Sequence, residues 1–168
     1  MNAFQTFFLT IKRSIEGTLR YHSDSLGFLT HDDAETWMDA VGPDGPWSPR
    51  GNRANDIQAL WIGQLEAGIW FATRLQDMNS AEKWQEFLSV CRSSFGRMFI
   101  PEDKKYIYDH LNEDGTPDTQ MRPNQIFTSC LLDDTTRAQV VRTVVENLTY
   151  EHGIASLSQD DDNFHPFH

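Results

Sequence analysis

The chain has 168 residues, 39% hydrophobic and 12% aromatic, which is material for one globular domain with a substantial core. Lys and Arg number 14 against 25 Asp and Glu, and the net charge of −11 excludes the basic footprint of a nucleic-acid binder. Phe4, Phe7, Phe8 and Leu9 precede Lys12 and Arg13, the reverse of a signal peptide, and no apolar run approaches a membrane span. A cytoplasmic protein with no membrane partner is expected. The two cysteines, Cys91 and Cys130, each sit in an apolar helical pattern and are expected as reduced core thiols.

From Asn2 to about Tyr21, the residues Phe4, Phe7, Phe8, Ile11, Ile15 and Leu19 recur at three- and four-residue spacing and predict a one-faced helix. The stretch from Gly27 to Asn52 follows neither period. It holds Asp32, Asp33, Glu35 and Asp39, the indoles of Trp37 and Trp47, and Arg50 near its end. Its GPDGPWSPRG segment is dense in turn residues, so the whole stretch reads as a structured loop. Long ordered loops in compact domains are commonly functional. Indole rings beside carboxylates suit a sugar, whose C–H faces stack and whose hydroxyls bond to fixed polar groups.

A second helix is predicted with Asn55 or Asp56 as its cap and with Ile57, Leu60, Trp61, Leu65, Gly68, Ile69 and Ala72 on one side. Asn79 with Glu82 resembles a capping box for a third helix, whose face is Trp84, Phe87, Leu88, Cys91, Phe95 and Met98. Pro101 ends it. YIYDHL alternates and Asp114-Gly115 is a turn pair, so a short hairpin is predicted within 106–120. Pro123 suits the first position of a short helix with Ile126, Phe127, Cys130 and Leu131 as its apolar side. A last helix from about Asp134 shows Ala138, Val141, Val144, Val145 and Leu148, with Gly153 just past its end. The SQDDDNFHPFH tail has no period and reads as loose. The fold class is all-α: consecutive antiparallel helical hairpins with one small β-hairpin.

At THDDAETWMDA, WSPRGNRANDIQALW and MRPNQIF the chain resembles the C-terminal amylo-α-1,6-glucosidase domain of glycogen debranching enzymes, with the three blocks in that family's order. The resemblance implies part of an (α/α)6 barrel of helical hairpins, related in plan to glucoamylases and trehalases. It also implies removal, with inversion, of the α-1,6-linked glucose left at a glycogen or limit-dextrin branch point. Carried over by position, Asp39 looks like the general acid and Trp37 like the residue against the bound glucose. Arg50, Asn52, Asp56 and Gln58 look like pocket-lining groups, with Arg122 and Asn124 at the pocket mouth. Trp61 is the one helical tryptophan expected to reach the pocket, while Trp70 and Trp84 are expected in the core. No metal or cofactor is implied, and the partner is an α-glucan or oligosaccharide.

The family domain has helices before residue 1 and after residue 168, and its catalytic base lies in the later part. Twelve helices of about 11 residues with loops of about 5 need roughly 190 residues. Residues 1–168 are therefore expected to be the central portion of the barrel, inactive alone. From the residues by themselves, Asp39 reads better as an ordinary helix-capping Asp, a weighing the resemblance reverses, and Asp32, Asp33 and Glu35 read as a solvated or loop-capping cluster. Arg122 and Asn124 have structural and substrate readings of equal weight. A related α-glucosidase and a non-catalytic carbohydrate-binding module stay open as alternatives. Nothing in the chain offers a glycine-rich phosphate loop, a Ser-His-Asp spacing or a CxxC pair.

Overall fold

The computed structural model describes residues 2–165; the end of the tail, 166–168, lies outside the described residues. Four α-helices, α1 (Ala3–Tyr21), α2 (Asn55–Arg74), α3 (Met78–Met98) and α4 (Asp134–Leu148), carry the chain, with a 3-10 helix, Pro123–Leu131, before α4. Helix accounts for about half of the residues, so the molecule is mostly helical as expected. The strands are two residues each and all pair antiparallel: β1 (Val41–Gly42) with β2 (Gly45–Pro46), β3 (Arg53–Ala54) with β4 (His110–Leu111), and β5 (Thr149–Tyr150) with β6 (Gly153–Ile154).

The hairpin expected within 106–120 is present in short form: Leu111 bridges Pro117, the Asn112 N–H donates to the Thr116 carbonyl at 2.9 Å, the Asp118 N–H to the His110 carbonyl at 2.9 Å and the Asp109 N–H to the Asp118 carbonyl at 3.3 Å. What the sequence did not predict is that His110–Leu111 also takes β3 as its ladder partner. The turn itself is where the Asp114-Gly115 pair placed it, with Gly115 at φ +85° and the Thr116 N–H donating to Asp114 Oδ1 at 2.9 Å.

Asn2 caps α1 reciprocally with Gln5, but the other caps move. α2 begins after Ala54, which has no side-chain cap, and Asp56 lies in its first turn, where a negative charge favours the helix dipole. α3 is capped by Asp77, whose carboxylate accepts from the Ser80 backbone and hydroxyl and also pairs with Lys12 at 2.5 Å. The tail is docked rather than loose: the Ser158 N–H donates to the Met121 carbonyl at 3.0 Å, and Leu157 is buried.

The core lies between α1, α2 and α3, around Ile15, Trp61, Ile62, Leu65, Trp84 and Cys91. Burial pushes the Cys91 thiol up to about 12, an inert core group. Cys130 is exposed instead. So is Phe127: the 3-10 helix buries Asn124, Gln125 and Thr128, and of these Gln125 and Thr128, three residues apart, stand on one row. Trp70 is also outside the core, at 48% exposure, with the Arg74 guanidinium over its ring. On α4, Val140 and Val144 face inward while Val141 and Val145 face out.

Close approach of the three helices depends on Gly68. A Cβ there would stand 2.3 Å from Ile15 Cδ1 and 3.1 Å from the Trp84 ring. Gly68→Val should therefore lower unfolding free energy by about 1–3 kcal/mol in urea denaturation. Gly63→Ala, on the same helix with open space around it, should be neutral or raise stability by up to about 1 kcal/mol.

Candidate active site

The Arg50 side chain is fully buried. Its Nη2 donates to Asp56 Oδ1 at 2.7 Å, and its Nε stands 2.6 Å from Asp109 Oδ2, an ion pair by distance that is not aligned as a hydrogen bond. A second buried guanidinium, Arg122, approaches the same Asp109 oxygen at 3.9 Å, and His110 Nδ1 lies 3.3 Å from it. The other Asp109 oxygen accepts from Asn124 Nδ2 at 2.8 Å. Burial alone pushes the Asp109 carboxyl up. The His110 hydrogen bond, the Arg50 charge, the Asn124 amide and Arg122 together outweigh it and hold Asp109 below the ordinary carboxylate range.

That carboxylate orients the surface above it. An ionised Asp only accepts, so the Asn124 NH2 must face Asp109 and its Oδ1 must face away. The freed Oδ1 accepts from Trp37 Nε1 at 3.0 Å. Trp37 is 56% exposed yet fixed through its indole nitrogen, the condition for a stacking platform. Trp37, Met38 and Asp39 line a cleft of about 520 Å³ together with Trp47, Ser48 and Ser156. An adjoining cleft of about 320 Å³ shares Trp47, Ser48 and Ser156 and is lined also by Arg122 and Asn163.

The residues singled out in the sequence thus divide three ways. Trp37, Asp39 and Arg122 line the two joined clefts, and Arg50, Asp56 and Asn124 form the polar layer beneath them. Asn52, Gln58 and Trp61 are not brought there. Asn52 lines a separate cleft with His31, Asp32 and Glu113, and its Oδ1 accepts from Arg53 at 2.8 Å. Gln58 is buried, its amide accepting from the Leu29 N–H and donating to the Leu29 carbonyl at 2.9 Å each. Trp61 is 1% exposed and donates to the Gly27 carbonyl at 3.1 Å, so it belongs to the core. Asp39 is exposed rather than buried beside Trp37.

The acidic cluster is part of the loop's own structure. Glu35 accepts from the Asp32 N–H at 2.9 Å, and the Asp33 carbonyl accepts from the Arg50 N–H at 3.2 Å. Asp109, His110 and Ser156 had no sequence signal as site residues, and Trp47 was marked only as one of the two indoles of the loop. Asp109 is one acid in an alternating stretch, and only its burial against two guanidiniums marks it.

A GH78 family rhamnosidase of Bacillus sp. GL1 shares the fold, at TM-score 0.63 and 13% identity over 84% of this chain. This chain spans 15% of the length of that one. Residues 2–168 match the family described as Amylo-alpha-1,6-glucosidase, and the chain belongs to that glycoside hydrolase family. A comparison with curated proteins gives no match.

Two stability outcomes follow from the buried charges. Arg50→Met leaves Asp56 without its cation and Asp109 with only the more distant Arg122, and should cost about 3–5 kcal/mol, whereas Asp39→Asn on the surface should stay within about 0.5 kcal/mol, both read by chemical denaturation. His31 gives the pH dependence. Its Nε2 accepts from the Ala54 N–H at 2.8 Å and its Nδ1 bonds the Asp32 carbonyl at 2.9 Å, so the folded ring is neutral. Burial depresses its pKa, opposed by the Asp32 hydrogen bond and reinforced by the Arg50 charge. The unfolded chain takes up that proton near pH 6.5. The stabilisation is complete above this value and is lost as the pH falls through the lower folded pKa. Unfolding free energy should decline as the pH drops below about 6.5. His31→Gln should flatten that decline in denaturation curves taken at successive pH values.

Proposed function

We propose that this chain carries the acid side of an inverting glycosidase site that removes α-1,6-linked glucose from glycogen or limit-dextrin branch points. The observation that supports it most is the cleft shared by Asp39 and Trp37, whose indole is fixed through Asn124 to the buried Arg50–Asp109 pair. Family membership implies a carbohydrate substrate, and in this reading it is an α-glucan. In this reading Trp37 stacks on the terminal glucose and Asp39 protonates the departing glycosidic oxygen.

Inversion needs a second carboxylate across the ring, about 6.5–9.5 Å from the acid, with the attacking water between them. Among the described residues lining the Asp39 cleft, Asp39 is the one carboxylate. This supports placing the base outside the present chain, in further hairpins of an (α/α)6 barrel of which residues 1–168 form a central portion. It equally favours the reading of this chain, taken alone, as a carbohydrate-binding module.

The test is glucose release from a limit dextrin by a protein in which this segment is joined to its neighbouring sequence. Asp39→Asn should lower release by about 10²–10⁴-fold with sugar binding retained, because the amide keeps the shape and loses the transferable proton. Undiminished release would remove Asp39 as the acid. The 168-residue chain alone should bind sugar without releasing glucose, and release by it would place a base within it.

A further inference from the structure

The hairpin between the acid and Arg50 is more than a connection. β1 and β2 pair in register, Val41 with Pro46 and Gly42 with Gly45, and the Trp47 N–H donates to the Ala40 carbonyl at 2.9 Å. Asp39 thus leaves the hairpin on one arm and Trp47 and Ser48 on the other, side by side. The Trp47 indole is 68% exposed but seated: it packs directly on Gly42, where a Cβ would stand 2.8 Å from its Cε2. A large exposed ring held in one place by a glycine and a two-strand ladder is a preorganised surface.

That ring forms a wall common to both clefts, together with Ser48 and Ser156. The second cleft adds Arg122 and Asn163, and the docked tail closes its side through Leu157. Arg122 is already spent on orientation. Its Nη2 donates to Gln120 Oε1 at 2.9 Å and its Nη1 to the Ser156 carbonyl at 3.3 Å, while its Nε is buried without a hydrogen-bond partner. The lining therefore combines an indole face with hydroxyl and amide groups, the pairing that a second sugar ring needs. At about 320 Å³ beside the 520 Å³ cleft of Trp37 and Asp39, the space suits one ring beyond the first.

We propose that the cleft of Trp47, Ser48, Arg122, Ser156 and Asn163 is the subsite for the sugar on the leaving side of the cleaved bond, with Trp47 as its stacking platform. It takes the next glucose of an α-linked oligosaccharide, and the β1–β2 hairpin holds this platform in register with Asp39. The proposal rests on the reading that the Trp37–Asp39 cleft binds a sugar, and the experiment separates the two.

The 168-residue chain is labelled with 5-fluorotryptophan, and its five indole resonances are followed by fluorine NMR. Those of Trp37 and Trp47 are identified through Trp37→Phe and Trp47→Phe. Glucose and the α-1,6-linked disaccharide isomaltose are the probes. Glucose should move the Trp37 resonance, and isomaltose should move both. Trp47→Ala, at an exposed position, should weaken isomaltose about fivefold to tenfold with little change for glucose. Gly42→Ala keeps the indole but displaces it, and should produce the same selective loss. Isomaltose moving Trp37 alone would overturn the subsite and leave the first cleft standing. A Trp47 resonance that glucose moves as strongly as isomaltose would also overturn it. No movement of either ring by either sugar would sink both readings together.

Discussion

A guanidinium with no exposed surface is costly unless carboxylates answer it, and Arg50 is answered from two directions. Asp56 comes from the first turn of α2 and Asp109 from the start of the β4 segment, while Arg50 itself ends the long loop. One cation therefore joins three stretches of chain that no short-range contact would bring together. The β3–β4 ladder lies beside it, and Asn52 and Asn55 add backbone bonds to Leu111 and Asp109. If the Arg50 charge is not matched, the loop, the helix start and the 109–118 turn lose their common anchor.

The same pair reaches the surface through a chain of forced choices. Asp109 can only accept, so Asn124 must turn its amide nitrogen inward, and its oxygen is then left for the Trp37 indole. A buried ion pair thereby fixes an exposed aromatic ring two hydrogen bonds away. This is a different use of charge from the surface pairs such as Lys83–Glu16, which are solvent-screened and weakly stabilising. The loop is held from below in a similar way. Gln58 and Trp61, on the buried face of α2, donate to loop carbonyls, and His31 accepts from the helix's preceding residue, Ala54. An irregular segment becomes rigid because regular helices spend polar side chains on its backbone.

The helices were legible without coordinates, since a 3.6-residue period records which side of each segment leaves water, and the family was legible through its three motif blocks. The Asp114-Gly115 turn was legible too, because its partners lie within four residues. A motif rather than periodicity singled out Trp37 and Asp39, which the fold places in one cleft. The cap of α3 was misplaced by two residues because Asp77 is selected partly by Lys12, which is 65 positions away. The ladder of His110–Leu111 with Arg53–Ala54 was not legible for a similar reason: local alternation reveals a strand but not which distant strand will pair with it.

Tertiary structure alone decided the depth of each polar residue. Arg50, Gln58 and Asp39 look alike in the sequence as polar groups near a motif. The fold buries the first as a structural cation, spends the second on Leu29, and leaves the third in an open cleft. Asp109 carries no local mark at all, because its role consists of neighbours at positions 50, 110, 122 and 124. Periodicity reports a segment's average exposure, set by short-range geometry. Partners in a buried charge network are set by long-range closure of the chain, which leaves no trace in spacing.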